Sequence, residues 1–261
     1  MTTEIEALQR DTTTIHARPP GGTRAAEPPT DVSITFSGTT LPGRVRVPSD
    51  ARALVMMVGT SAGARLDPRN NATADVLHRA GLATALVDLV LPGESPTAPK
   101  GPGELFFVNR LIAVTDRIRT GSGLEEMPVG YLGTGIGAAA ALWTASLLRS
   151  EIGSVVAIDW LPAGAEPYLA FIEAPTLLIV AERDHQLLDL NARALARLRH
   201  ESRLEVTYEA LPGRTDAGSP VDEISLTRAW FLRHLSDRPP APPSWVTRWD
   251  GHARPASATS R

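Results

Sequence analysis

Apolar residues along the chain follow two alternating rhythms, short near-continuous runs and longer stretches in which they recur every three or four positions. That alternation predicts strands followed by helices. Val32 to Ser37 alternates apolar and polar residues, and Val45 with Val47 resumes the pattern after the turn at Gly38 to Gly43, which predicts an antiparallel hairpin at one edge of a sheet. Ala53 to Val58 is apolar throughout, as a strand covered on both faces should be, and Leu82 to Val87 repeats that signature before ending near Asp88. Between them, Gly59 to Asn70 reads as a loop and Asn71 or Thr73 as the cap of a following helix. Leu91 to Gly103, rich in Pro and Gly, reads as a surface loop.

The second half repeats the pattern. Phe107, Leu111, Val114 and Ile118 form a helical stripe, with Arg110, Asp116, Arg117 and Arg119 placed off it. Val129 to Gly133 is the next strand, and after it Ile136, Ala140, Trp143 and Leu147 share one helical face. Strands at Ser154 to Asp159, Thr176 to Ala181 and Leu204 to Tyr208, a stripe of Leu188, Ala192 and Leu195, and a last helix from Val221 to Leu235 complete the body. The expected fold class is α/β, a doubly wound, mostly parallel sheet flanked by helices. Ligands of such sheets sit beyond the carboxyl ends of the strands, so the loops of interest are Gly59 to Asp67, Thr134 to Ile136, Glu182 to Leu187 and Gly213 to Ser219.

One junction carries a chemical signature. Gly133-Thr134-Gly135-Ile136-Gly137 follows an apolar strand and opens an alanine-rich helix. This is the arrangement of a nucleophile elbow, G-x-S-x-G, whose flanking glycines let strand and helix backbones approach. Its centre here is Gly135, which has no side-chain oxygen.

Composition narrows the rest. The 261 residues are 43% hydrophobic and 21% charged, enough for one sizeable core, and residues 32–236 are expected to form a single domain. The net charge of -3, with no basic cluster interleaved with aromatics, argues against nucleic acid as a partner. The chain lacks cysteine, which removes disulfides and a thiolate nucleophile and points to the cytoplasm. Residues 1–31 read as a flexible arm without the apolar stretch of a secretion signal, and no membrane partner is expected. Residues 237–261 form a Pro-rich tail in which Trp245 and Trp249 could dock on the body or on a protein partner.

With those motifs in view the sequence resembles the α/β-hydrolases of the dienelactone-hydrolase-like group, from Val32 to Leu235. The resemblance rests on Asp67-Pro68-Arg69-Asn70, Gly81 to Thr84 with Asp88, Tyr131 to Leu142, Ala174 to Val180, and Trp230 to Leu235. It implies a serine at the position of Gly135, an acid at Asp184, and a histidine near Asp216 after Leu211-Pro212-Gly213. The oxyanion loop that usually opens on His-Gly falls on Gly59-Thr60. Only the acid, Asp184, keeps its residue type.

Thr134, next to the elbow centre, and Ser61, in the oxyanion-type loop, read as structural hydroxyls. His185 follows the acid and could swing toward the missing base. His78, His200 and His234 fall on helix surfaces or ends, and no pair of histidines has metal-ligand spacing, so neither metal nor cofactor is expected. Two readings stay open. In the first, the protein is a pseudo-hydrolase binding a small molecule or a partner in a pocket formed by Thr60, Ser61, Thr134, Gly135, Ile136 and His185. In the second, Asp184 and Asp216 carry acid-base chemistry of a cyclase, isomerase or lyase type. An ester or lactone hydrolase is the least favoured, because nucleophile and base are both missing.

Overall fold

The computed structural model describes residues 28–95, 103–121, 124–161, 167–182, 184–207 and 223–236. Eight strands form one sheet: β1 (Thr30–Phe36), β2 (Thr39–Arg46), β3 (Ala53–Gly59), β4 (Leu82–Asp88), β5 (Val129–Thr134), β6 (Ile152–Ile158), β7 (Thr176–Ala181) and β8 (Ser202–Thr207). Their order is β1-β2-β4-β3-β5-β6-β7-β8. The β1–β2 and β2–β4 pairings are antiparallel and all others parallel, so the hairpin lies at one edge as its alternation predicts.

Among the described residues five α-helices cover the two faces: α1 (Pro68–Arg79), α2 (Glu104–Gly121), α3 (Ile136–Leu148), α4 (His185–Leu195) and α5 (Glu223–Leu235). α1 and α5 close one face, where Leu77, Trp230, Phe231 and Leu235 pack on Val55, Leu132, Val156 and Leu177. α2 and α3, with Ala194 of α4, close the other around Met56, Tyr131, Val155 and Leu178. This is the doubly wound arrangement expected, with the apolar strands β3 to β7 buried between two helical layers.

Several local expectations change. α1 starts earlier than Asn71 or Thr73, because the Asp67 carboxylate accepts from the Arg69 amide at 2.7 Å and Pro68 fills the first helical position. Asn71 instead donates to the carbonyls of Arg65 and Asp67, bracing the loop below the helix. On α2 the apolar stripe is buried as expected, but Arg110 and Arg119 are buried too. Arg110 donates to the Leu89 carbonyl and, through both terminal nitrogens, to Glu94, each at 2.7 Å, while Arg119 reaches the Glu125 carbonyl at 2.6 Å. Long cationic side chains can lie against a core when their heads find acceptors at its rim.

The stripe assigned to α3 also differs. Ala140 is buried, yet Ile136 and Leu147 at its ends are 41% and 54% exposed. The helix is enclosed by the sheet, α2 and the short turn of Pro167–Phe171, so its buried surface runs from Ala138 through Leu142 instead of along the stripe that Ile136 and Leu147 would bound. On α4 the buried stripe is Leu187, Asn191 and Ala194, one register away from Leu188, Ala192 and Leu195. The cause is polar: the Asn191 side-chain amide donates to the Trp160 carbonyl at 2.8 Å and to the Leu187 carbonyl at 2.9 Å, inside the core. His78 is buried rather than on the surface, and the His234 side chain is 8% exposed, lying 4.3 Å from the Trp230 ring. The expected residues Tyr208 and Val221, and the tail with Trp245 and Trp249, lie outside the described residues.

Candidate active-site elbow

The elbow sits where the strand-helix alternation places it. β5 ends at Thr134, α3 begins at Ile136, and Gly135 between them has φ 55 and ψ -117, a region that L-residues rarely occupy. Its amide donates to the Ile158 carbonyl at the end of β6 at 2.9 Å, and its carbonyl accepts from the amides of Ala138 and Ala139 at 3.1 and 3.2 Å. The turn is thereby tied at once to the neighbouring strand and to the first turn of the helix.

The three glycines of the motif have different reasons to be glycine. A Cβ on Gly133 would stand 2.3 Å from the Gly137 carbonyl oxygen, and one on Gly137 would stand 2.9 Å from the Val58 carbonyl oxygen and 3.2 Å from the Thr60 methyl. Both are backbone collisions. A Cβ on Gly135 would meet nothing within 4 Å. The central position is therefore open to a side chain in space.

The loop after β3 is held over the same end of the sheet. Asp88, 1% exposed at the end of β4, accepts from the amides of Gly63 at 2.9 Å and Arg65 at 2.7 Å and from the Arg65 guanidinium. The Leu89 amide donates to the Gly59 carbonyl at 2.9 Å, fixing the loop's first residue. Thr60 thus lies against the elbow at Gly137, whereas Ser61 is exposed and its carbonyl accepts from Ala64 at 3.2 Å. In the sequence Asp88 is legible as a strand end and as part of the family resemblance, not as the organiser of this loop. Its buried carboxylate gathers the loop donors into one conformation.

Asp184 is exposed and acts as the N-cap of α4, its Oδ1 accepting from the Leu187 amide at 2.8 Å. His185 opens that helix and is also exposed. Asp216, the other half of the carboxylate pair, lies outside the described residues. Another carboxylate adjoins the elbow: Asp159 directly follows Ile158, the residue bonded to Gly135. It takes φ 45, and its Oδ1 accepts from the Ala181 amide at 3.2 Å. A non-glycine residue in that conformation after a buried strand is held there by its surroundings.

On the α1 and α5 side of the elbow, Thr134 lines a cavity of about 40 Å³ together with Met57, Asn70, Thr73 and Thr227. The Thr227 hydroxyl is buried there without a hydrogen-bond partner among the described residues. Among the described residues no cluster of His, Asp and Glu is grouped as a metal site would require.

No protein-family model matches the chain. A dienelactone hydrolase from Anabaena variabilis ATCC 29413 superimposes with a TM-score of 0.69 at 30% identity, over 79% of this chain and 99% of that one. The chain belongs to the dienelactone-hydrolase-like α/β-hydrolases. Est1E from Butyrivibrio proteoclasticus, at 11% identity and a TM-score of 0.61, shares the fold alone. Copies from two Mycobacterium tuberculosis strains of a protein named "Putative phosphoribosyl transferase" are 34% identical over 214 residues, which is 81% of this chain. The chain spans about half the length of those curated relatives, 48%. Within this α/β-hydrolase frame the elbow, the loop after β3 and the end of β7 meet at the carboxyl ends of the strands. Among the described residues no helix is long and apolar enough to cross a membrane.

Proposed function

We propose that this α/β-hydrolase-fold protein does not carry out serine hydrolysis, and that the vacated elbow serves to bind a small molecule or a partner. The observation that carries the reading is Gly135: the turn has the backbone of a nucleophile elbow and free space for a side chain, and holds none. Loss of one triad member costs several orders of magnitude in rate, and loss of nucleophile and base together leaves binding and oxyanion effects alone. The carboxylate alternative draws less support, since Asp184 is engaged as a helix cap.

The Mycobacterium tuberculosis relatives are named for phosphoribosyl transfer and are about twice as long as the matched region. We assign that activity to the portion this chain does not span, because the shared portion folds as an α/β-hydrolase. The absence of cysteine is in keeping with a cytoplasmic site of action.

The test is labelling with a fluorophosphonate and turnover of simple aryl esters and lactones, both expected at background. Stoichiometric labelling of Ser61 or Thr134 would overturn the proposal by showing a relocated nucleophile. A thermal-shift screen of small carboxylates and lactones tests the binding half, because a ligand at a hundredfold its Kd stabilises by about 2.7 kcal/mol.

A further inference from the structure

The sheet has two edges, and they differ in kind. At one end β1 pairs only with β2, and its charged residue Asp31 is engaged by Arg44 of that neighbour at 2.8 Å. At the other end β8 pairs only with β7, and among the described residues no strand lies beyond it.

The backbone parity of β8 follows from its bonds. The Thr176 amide donates to the Glu201 carbonyl and the Glu182 amide to the Thr207 carbonyl, each at 2.9 Å, with Thr176 opposite Ser202 in a parallel register. In such a ladder alternate residues turn their amides and carbonyls toward the neighbour. Glu201, Arg203, Glu205 and Thr207 therefore address β7, while Ser202, Leu204 and Val206 direct theirs away from the sheet. The free edge is a row of donors and acceptors at those three residues.

The side chains add a second pattern. Arg203 and Glu205, two residues apart and so on one face of the strand, form an ion pair with each other. Edge strands are commonly protected by charge, but charges of alternating sign do not repel a copy of themselves. If two β8 strands meet antiparallel about a two-fold axis at Leu204, the outward backbone groups coincide: Leu204 faces Leu204, and Ser202 faces Val206. In the same register each Arg203 stands directly opposite a Glu205. That pairing is the non-hydrogen-bonded kind, in which side chains are closest. Backbone parity permits this register, and charge selects it from the others that parity permits.

We propose that β8 is the homodimerisation edge of this protein, joining a second copy isologously through Ser202 to Val206 into one continuous sheet. The intrachain ion pair is exchanged for two across the interface. Strand pairing alone buries less than a standard interface, so the dimer is concentration-dependent.

The test uses the full chain and charge variants at two positions outside the elbow. Light scattering coupled to gel filtration, over concentrations up to roughly 1 mM, should show the wild type as a dimer. Arg203→Glu or Glu205→Arg places like charges opposite each other twice, raising the dimer Kd by about tenfold or more. The double exchange Arg203→Glu with Glu205→Arg should restore it. An equimolar mixture of the two single variants should give a heterodimer, because one chain then carries two acids and the other two arginines. Unchanged melting temperatures would show that every variant folds.

A monomeric wild type throughout, single variants that dimerise as well as the wild type, or a double exchange that stays monomeric would each overturn the proposal.

Discussion

Gly135→Ser and Gly133→Ala separate the two functions a glycine serves in this elbow. At Gly135 the added Cβ meets nothing within 4 Å, so the cost is backbone strain at φ 55, ψ -117. A non-glycine residue in a sparsely populated region costs about 1–3 kcal/mol, and the smaller entropy of the unfolded chain returns about 0.4–1 kcal/mol. The net loss should be about 1–2 kcal/mol, a fall in melting temperature of roughly 2–8 °C for a domain of this size. At Gly133 the Cβ would be 2.3 Å from the Gly137 oxygen, against 3.4 Å or more for ordinary contact. β5 would have to move away from α3 by about an ångström through rigid backbone, in the middle of the core. Losses above about 4 kcal/mol are expected, and the protein should not accumulate as a soluble fold. Soluble yield of the two variants, with a circular-dichroism melt of each that accumulates, decides the matter. If Gly135→Ser destabilises as much as Gly133→Ala, the central position is closed by packing and its assignment as an empty nucleophile site fails.

Three other perturbations test the supports of the site. Asp88→Asn substitutes a donor for one of the two oxygens that accept from Gly63 and Arg65, and should cost about 1–3 kcal/mol while making residues 60–66 more susceptible to limited proteolysis; unchanged susceptibility would remove Asp88 as the organiser of that loop. Asn191→Ala leaves the buried Trp160 carbonyl without its donor and should cost about 1–3 kcal/mol in urea denaturation, a loss within 0.5 kcal/mol counting against the polar register of α4. Burial holds the His234 imidazole below its ordinary range against the opposing charge of Glu201, with Arg233 acting in the same direction as burial. The unfolded chain then takes up the proton first, so stability falls as pH drops below about 6.5, and His234→Gln should flatten the melting curve between about pH 7 and pH 5.

The fold could be read from the chain because its strands announce themselves. Ala53 to Val58 and Thr176 to Ala181 are short runs apolar at nearly every position, as a strand covered on both sides should be, and the sheet buries both. Helix faces were less legible where something other than hydrophobicity decided them. α4 turned by one residue because Asn191, polar by type, is the residue that reaches the Trp160 carbonyl. α3 broke the stripe rule because it is enclosed on several sides, so that Ala138 to Ala141 and not Ile136 or Leu147 make its contacts. Periodicity identifies one face against one core and loses meaning when a helix is surrounded.

The site shows the same division more sharply. Glycines at 133, 135 and 137 look alike in the sequence, and the motif alone makes the central one a lost serine. The coordinates distinguish them by what surrounds each Cβ: two are required by carbonyl oxygens at 2.3 and 2.9 Å, and the third by nothing but its dihedral angles. Glycine takes that mirror-image conformation without strain, so the bond to the Ile158 carbonyl fixes at Gly135 a backbone that only an added side chain would find costly. Strain proper lies at the adjoining non-glycine residue, where the surroundings over-determine it. Asp159, forced to φ 45 beside the same carbonyl, lies on the other side of that bond. The elbow and the end of β6 are therefore one rigid unit, and a ligand that entered the space above Gly135 would meet preset backbone on both sides.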